Sequence, residues 1–243
     1  MDLRSLPERE QGWALFLDVD GTLLEIAETP DGVRVPAQLI RTLTEVAQRE
    51  SGALALISGR SLAQLDRLFA PARFAAAGLH GLERRDAAGS LIRPRHLDQE
   101  LNDARQALRA FVSPHPGLLL EDKGLTLALH YRRAPELEGE ARRVVTALAT
   151  RLGQGFHVQE GKCVLELKPA GFSKRTAIEA FMRERPFKGR LPVFAGDDVT
   201  DEDGFLAVNS MGGHSIRVGN DAPTAARYRV PNVEALRAWL SGQ

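Results

Sequence analysis

The chain has 243 residues, 43% of them hydrophobic, and its 32 basic side chains are balanced by 32 acidic ones. That length suits one large domain or two small ones around a proper core, and the balanced charge speaks against a nucleic-acid or membrane-surface protein. The single cysteine, Cys163, excludes an intramolecular disulfide; with no apolar signal segment and no run of membrane-spanning length, a cytoplasmic protein is expected.

In chain order, the first element is a buried strand. Ala14-Leu15-Phe16-Leu17 is apolar at consecutive positions, as a strand covered on both faces requires. It runs directly into Asp18-Val19-Asp20-Gly21-Thr22. Residues 25–35, with Pro30 and Asp31-Gly32, read as an irregular loop. From Pro36 to Glu50 the apolar residues Leu39, Leu43, Val46 and Ala47 recur at helical spacing, and Ser51-Gly52 closes the helix. Residues 53–57 form a second apolar strand ending in Ser58-Gly59-Arg60. Ser61 and Gln64 make a capping box for a helix carrying Leu62, Leu65, Leu68 and Phe69. A third short strand over 74–77 leads into Gly78-Leu79-His80-Gly81-Leu82-Glu83, and the polar stretch 84–90 reads as a hairpin loop.

From about residue 97 the pattern changes. Leu97, Leu101, Ala104, Leu108 and Phe111 share a helical face, and Pro114 and Pro116 stop that helix. Strands over 117–121 and 125–132 follow, the second alternating apolar and polar as an antiparallel sheet with one covered face does. A second helix carries Leu137, Ala141, Val144, Val145, Leu148 and Leu152. Strands over 156–159 and 163–168 come next, with Glu160-Gly161-Lys162 as the turn; Cys163, in the apolar run, reads as a buried, inert thiol. Helix–strand–strand twice over predicts a small α+β domain at 96–169, inserted into an α/β domain made of 1–95 and 170–243. After Pro169, Ser173 is an N-cap for a helix over 174–184. Residues 192–195 form another buried strand, followed by Gly196-Asp197-Asp198. Thr200 and Asp203 look like a capping box for the next helix. Short strands at 215–218 and 228–230 and a helix at 232–240 finish the chain. No segment has a zipper pattern, and a monomer is expected.

Asp18/Asp20, Ser58, Lys174 and Asp197/Asp198 all fall on strand ends or helix starts of one α/β domain. Ligands bind at the carboxyl ends of strands in such sheets. Two carboxylates at the end of a buried strand need compensation, and a hard cation with oxygen ligands supplies it. Side chains alternate in extended backbone, so Asp18 and Asp20 leave one face. Asp201, Glu202 and Asp203 read as acids favoured by a helix N-terminus. The set suits phosphoryl transfer. Asp18 and Asp197 can hold Mg²⁺, and a carboxylate can attack phosphorus. Lys174 and Ser58 screen the charge of the phosphate, and Asp20 can protonate the leaving oxygen and then take a proton from water. Read alone, His80 is a structural side chain.

In this order, Asp18-Val19-Asp20-Gly21-Thr22, Ser58, Lys174 and Gly196-Asp197-Asp198 resemble the haloacid dehalogenase superfamily of phosphatases. The segments Ile57-Ser58-Gly59-Arg60, Gly78 to Glu83, His130-Tyr131-Arg132, Gly161-Lys162 with Glu166, and Gly196 to Glu202 are similar to the trehalose-6-phosphate phosphatase family within it. The resemblance implies a Rossmann-like parallel-sheet core with an α+β cap domain. It implies hydrolysis of trehalose 6-phosphate with Mg²⁺ as cofactor, Asp18 as nucleophile and Asp20 as acid/base. The metal ligands would be Asp18, the Asp20 backbone carbonyl and Asp197. Ser58, Gly59 and Lys174 would bind phosphate; Glu121, Lys123 and Glu166, joined by Arg132 and His80, would bind the sugar. Phosphatases of sucrose 6-phosphate or mannosyl compounds, and a phosphomutase, are the neighbouring readings. A phospho-accepting switch would not need the inserted domain, and a non-catalytic sugar-phosphate binder would not need the catalytic groups. Two positions depart from the family: Arg175 stands where Gly is usual and Lys168 where Arg is common.

Overall fold

A computed structural model describes residues 6–8, 10–26, 32–94, 97–219 and 223–242. The Pro30-Asp31 part of the expected loop and the expected domain boundary at 95/96 lie outside the described residues. The chain divides into two compact units, Met1–Arg93 with Phe172–Gln243, and Pro94–Gly171.

The first part of the chain forms β1 (Trp13–Leu17), α1 (Ala37–Arg49), β2 (Leu54–Ile57), α2 (Leu62–Leu68), β3 (Ala75–Gly78), β4 (Glu83–Arg85) and β5 (Leu91–Ile92). The second unit holds α3 (Leu97–Glu100), α4 (Asn102–Val112), β6 (Leu119–Asp122), β7 (Leu127–His130), α5 (Glu138–Leu152), β8 (Phe156–Gly161) and β9 (Val164–Pro169). The chain then returns to the first unit with α6 (Lys174–Met182), β10 (Leu191–Gly196), α7 (Glu202–Ser210), β11 (His214–Val218), β12 (Tyr228–Val230) and α8 (Val233–Ser241).

In the first unit eight strands form one sheet in the order β12-β11-β10-β1-β2-β3-β4-β5. From β12 to β3 the pairs are parallel; β4 and β5 add antiparallel. This is the parallel α/β sheet the apolar runs predict, in the Rossmann-like form the family resemblance implies. Strand alternation splits β1 between two apolar layers. Trp13, Leu15 and Leu17 join Leu39, Leu43 and Leu236 from α1 and α8. Ala14 and Phe16 face Ile178, Phe181, Phe187 and Phe205 on the other side. With both faces of β1 covered, the free direction is along the strand, so Asp18 emerges at the carboxyl edge.

In the second unit the antiparallel sheet runs β6-β7-β9-β8. Leu127, Leu129, Leu165 and Leu167 pack with Leu108, Ala141, Val145 and Leu148 of the helices. The register puts Glu121, Ala128, Glu166 and Gln159 in one row across all four strands, on the face opposite that core.

Several expectations are corrected. Arg84 and Arg85 are buried strand residues of β4, not loop. Arg84 makes a double hydrogen bond to Glu184 at 2.7 and 2.6 Å and lies over the Phe181 ring, and Arg85 is paired with Asp66 and the Phe74 carbonyl. Buried cations survive because each planar fork meets a carboxylate in two-point contact. Cys163 is only partly buried, in the β8–β9 turn with φ +60°. The capping box before α7 is Asp198 with Asp201, not Thr200 with Asp203, and it opens a one-turn 3₁₀ segment first. The helix expected over 174–184 stops at Met182.

Candidate active site

Asp18 follows β1, and its backbone N–H donates to the Ala195 carbonyl of neighbouring β10 at 3.0 Å. Its side chain is 5% exposed. Lys174 opens α6, whose N-cap is Ser173 with a capping box to Thr176. The ammonium of Lys174, 3% exposed, donates to Asp18 Oδ1 at 2.7 Å and to Asp201 Oδ1 at 2.6 Å. A cation in the first helical turn opposes the helix dipole; two buried carboxylates are what hold it there. The other Asp201 oxygen accepts the backbone N–H groups of Asp197 (3.0 Å) and Asp198 (2.9 Å). Asp201 thus fixes both the lysine and the turn that presents Asp197. Asp197 in turn accepts from the Thr22 hydroxyl at 3.1 Å.

Two glycines permit this crowding. Gly21 has φ +85°, and a Cβ there would overlap the Asp197 carboxylate. A Cβ on Gly196 would overlap the Asp201 side chain.

One oxygen from each of Asp18, Asp197 and Asp201 lies within 4.8 Å of the others. The electrostatics follow from this convergence. Burial pushes Asp18 well above the ordinary carboxylate range; Lys174 pulls it down, and the Asp201 and Asp197 carboxylates push it further up. Burial and then Asp201 raise Asp197 to about 6, against the Thr22 hydroxyl, Lys174 and Asp18. Burial alone would lower the Lys174 ammonium, but Asp18 and Asp201 outweigh it and hold it above its ordinary value. The cluster carries more negative than positive charge, and its free donors are carboxylate oxygens. That set fits a hard divalent cation, which takes oxygen ligands and relieves the repulsion.

Ser58 follows β2, the other neighbour of β1, and is buried. Its N–H donates to the Ala77 carbonyl at 2.9 Å, and its Oγ accepts the Arg60 N–H at 3.1 Å. Gly59 lies against the His80 ring, whose Nε2 would be 2.8 Å from an added Cβ. Asp20 is held by Arg60, which donates from Nε and Nη2 to its two oxygens, both at 2.7 Å.

In the second unit, Glu121, Lys123 and Glu166 come together. Lys123 Nζ lies 3.3 Å from Glu166 and 4.0 Å from Glu121. Glu166 accepts from the buried Thr126 hydroxyl at 2.7 Å, and His130 Nε2 meets Glu121 at 3.0 Å. Lys168 is buried and donates to Gln159 at 3.1 Å. Arg132 stands apart from this group, its guanidinium reaching the Lys162 carbonyl at 3.4 Å. His80 belongs to the first unit. Arg175, half-exposed, faces Glu179 one turn along α6 at 3.4 Å.

Sequence reasoning missed Asp201, which it took for a helix-dipole acid, and gave no role to Thr22 or Arg60. The density of acids between Asp197 and Asp203 exceeds what a helix start uses, and that was the signal for Asp201.

The trehalose-phosphatase family model matches residues 16–234. A trehalose-6-phosphate phosphatase of Escherichia coli (strain K12) is 45% identical over 238 residues, covering 98% of this chain and 89% of that protein. A probable trehalose-phosphate phosphatase of Sinorhizobium fredii is 43% identical and covers 98% of this chain and 90% of its own length. Among solved structures, a trehalose-6-phosphate phosphatase related protein superposes with a TM-score of 0.79 at 27% identity, covering 94% of this chain and 95% of that one. A phosphatase of the haloalkanoate (HAD) enzyme superfamily from Bacteroides thetaiotaomicron superposes with a TM-score of 0.65, with 19% identity over 98% of this chain and 97% of its own, and shares the fold.

Proposed function

The chain belongs to the trehalose-phosphatase family, and from that premise we propose that it hydrolyses trehalose 6-phosphate to trehalose and inorganic phosphate through a phosphoryl group carried on Asp18. The observation that carries the chemistry is the buried cluster in which Lys174 bridges Asp18 and Asp201 beside Asp197.

Asp18 attacks phosphorus with one carboxylate oxygen. The bond between phosphorus and the sugar oxygen breaks, its electron pair stays on that oxygen, and Asp20 delivers a proton to it. Trehalose leaves. The Asp20 carboxylate then takes a proton from water, whose oxygen attacks the phosphoryl group and releases phosphate, restoring Asp18. Asp18, Asp197 and the Asp20 backbone carbonyl are the ligands proposed for Mg²⁺; when bound it supplies positive charge against the phosphate oxygens. Lys174 holds Asp18 in line and adds fixed positive charge, while Ser58 and the Gly59 backbone bind the phosphate. Glu121, Lys123 and Glu166 hold the sugar hydroxyls: carboxylates accept from them and the ammonium donates to them. Arg132 and His80 join them as proposed substrate ligands, Arg132 from the second unit and His80 from the first. A small-molecule substrate is the one partner this reading needs. Among the described residues no helix is long and apolar enough to cross a membrane.

The test is phosphate release from trehalose 6-phosphate, sucrose 6-phosphate, glucose 6-phosphate and a mannosyl phosphate, with Mg²⁺ and with chelator. Trehalose 6-phosphate is expected to lead by orders of magnitude, and chelator to stop turnover. Equal turnover of the panel would overturn the substrate assignment, and a phosphosugar product instead of free phosphate would mark a mutase.

A further inference from the structure

We propose that Gln159 is a further specificity-determining residue: the buried ammonium of Lys168 holds its amide carbonyl, so that the N–H₂ end is offered to a hydroxyl of the second sugar ring. The inference rests on the reading of Glu121, Lys123 and Glu166 as sugar ligands.

The placement follows from strand alternation. In β8, Phe156 and Val158 pack with the apolar core, so His157 and Gln159 leave on the other face. Register brings Gln159 level with Glu166, Ala128 and Glu121. The row therefore has a polar group at each end, Glu121 on edge strand β6 and Gln159 on edge strand β8. Neighbouring strands lie about 4.8 Å apart, which puts Gln159 about 5 Å beyond Glu166 and about 14 Å from Glu121. One pyranose ring fills the space served by Glu121, Lys123 and Glu166. A second ring joined to it reaches the β8 end of the row.

Lys168 decides which end of the amide a ligand meets. A primary amide has an acceptor end and a donor end of nearly the same shape. An ammonium group only donates. Lys168 is 2% exposed, and its Nζ donates to Gln159 Oε1 at 3.1 Å. The carbonyl end is therefore committed to Lys168, and the N–H₂ branch is the one turned away from it. Turning the amide over would set N–H₂ against the ammonium and take this acceptor from a buried cation, which costs more than a half-buried hydrogen bond returns. A fixed donor at this end complements Glu121 and Glu166. Ionised carboxylates only accept, so they read hydroxyl protons, while the Gln159 amide reads a hydroxyl lone pair.

The test separates binding from chemistry. Q159E keeps the contact to Lys168 and loses the donor; Q159M keeps the length of the side chain and loses both. For trehalose 6-phosphate each is expected to raise KM about 2- to 10-fold, the scale of one uncharged hydrogen bond. Loss of uniform binding leaves kcat within about twofold. Turnover of p-nitrophenyl phosphate, which carries no sugar, should match the wild type. Trehalose 6-phosphate analogues that each lack one hydroxyl on the ring without phosphate locate the contact. One of them should be a poorer substrate for the wild type and lose nothing further with Q159M, as coupled partners do. K168M should raise KM more in the presence of Gln159 than in Q159M. Unchanged KM in both Gln159 variants, equal losses on p-nitrophenyl phosphate, or the same further loss on every analogue overturns the inference; equal effects of K168M in the two backgrounds overturn the part given to Lys168. E166Q distinguishes the underlying reading. If it too leaves KM unchanged, this face is not the sugar site; if it raises KM and the Gln159 variants do not, only the role of Gln159 falls.

Discussion

The two units hold their charged groups in opposite ways. In the first, Asp18, Lys174 and Asp201 are almost wholly buried, and contacts of 2.6–2.7 Å cross-link groups far apart in the chain. In the second, Glu121, Lys123 and Glu166 lie on a sheet face with 26%, 15% and 9% exposure and looser spacings of 3.3–4.0 Å. A buried network has one satisfactory arrangement, because each unpaired member costs several kcal/mol. A half-open face has room for hydroxyl groups to enter and exchange partners. Reaction chemistry needs the first kind of site and recognition of a polar molecule the second. The contrast predicts that changes in the first unit act on the rate for every substrate, and changes in the second on the choice among substrates.

The largest effect tests the first half of that contrast. D18N keeps the shape of the side chain and removes the oxygen proposed to attack phosphorus. Turnover of trehalose 6-phosphate and of p-nitrophenyl phosphate should fall together by about three orders of magnitude or more, on the scale of losing an activated nucleophile. D201N should also lower both, since it removes one of two carboxylates fixing Lys174 and weakens the anchor of the Asp197 turn. Steady-state rates on the two substrates decide the matter. Substantial residual turnover by D18N would break the nucleophile assignment.

A smaller, selective effect belongs to the second unit. E166Q and K123A each remove one charged hydrogen-bonding group, worth about 1.5–3 kcal/mol, or about 10- to 100-fold in kcat/KM. The loss should appear in KM for trehalose 6-phosphate and leave p-nitrophenyl phosphate nearly untouched. Equal losses on both substrates would erase the distinction between the units.

The same contrast explains what was legible in the sequence. The strand ends were legible because β1 and β2 are apolar at every position, so Asp18 and Ser58 mark where burial stops. The Ser61–Gln64 and Ser173 caps were legible because capping is local. Asp201 was not. It shares a lysine with Asp18 only because α6 and the turn after β10 meet at the carboxyl edge of the sheet, and spacing along the chain does not encode that meeting. Arg84 and Arg85 were missed for a related reason. A pair of arginines reads as solvated until the fold supplies Glu184 and Asp66. Glu121, Lys123 and Glu166 were placed by resemblance to a family; their alternation fits any charged sheet face.

The smallest expected effect compares the units through pH. His157, in the second unit, has its pKa lowered by burial and by the Lys168 charge, with Glu166 opposing. The folded chain therefore binds a proton there less readily than the unfolded chain, whose histidine titrates near 6.5. Its contribution to stability is complete above that value and is lost as pH falls toward the folded pKa. His214, in the first unit, acts in the same direction, lowered by burial and by Arg227. But the first unit also holds Asp197, raised by burial to about 6 from an ordinary 3.8. Between those values the folded chain binds the extra proton, so this contribution grows as pH falls. Asp18, raised by burial, has the same sign. In metal-free buffer, acidification from about pH 7 to pH 5, across the histidine range, should lower amide-exchange protection in β7–β9 more than in β1 and β10, after correction for intrinsic exchange. H157Q should flatten the response of the second unit alone. Equal losses in the two sheets would show that the buried carboxyls do not offset His214, and that the site cluster is compensated in the metal-free fold by groups other than Lys174.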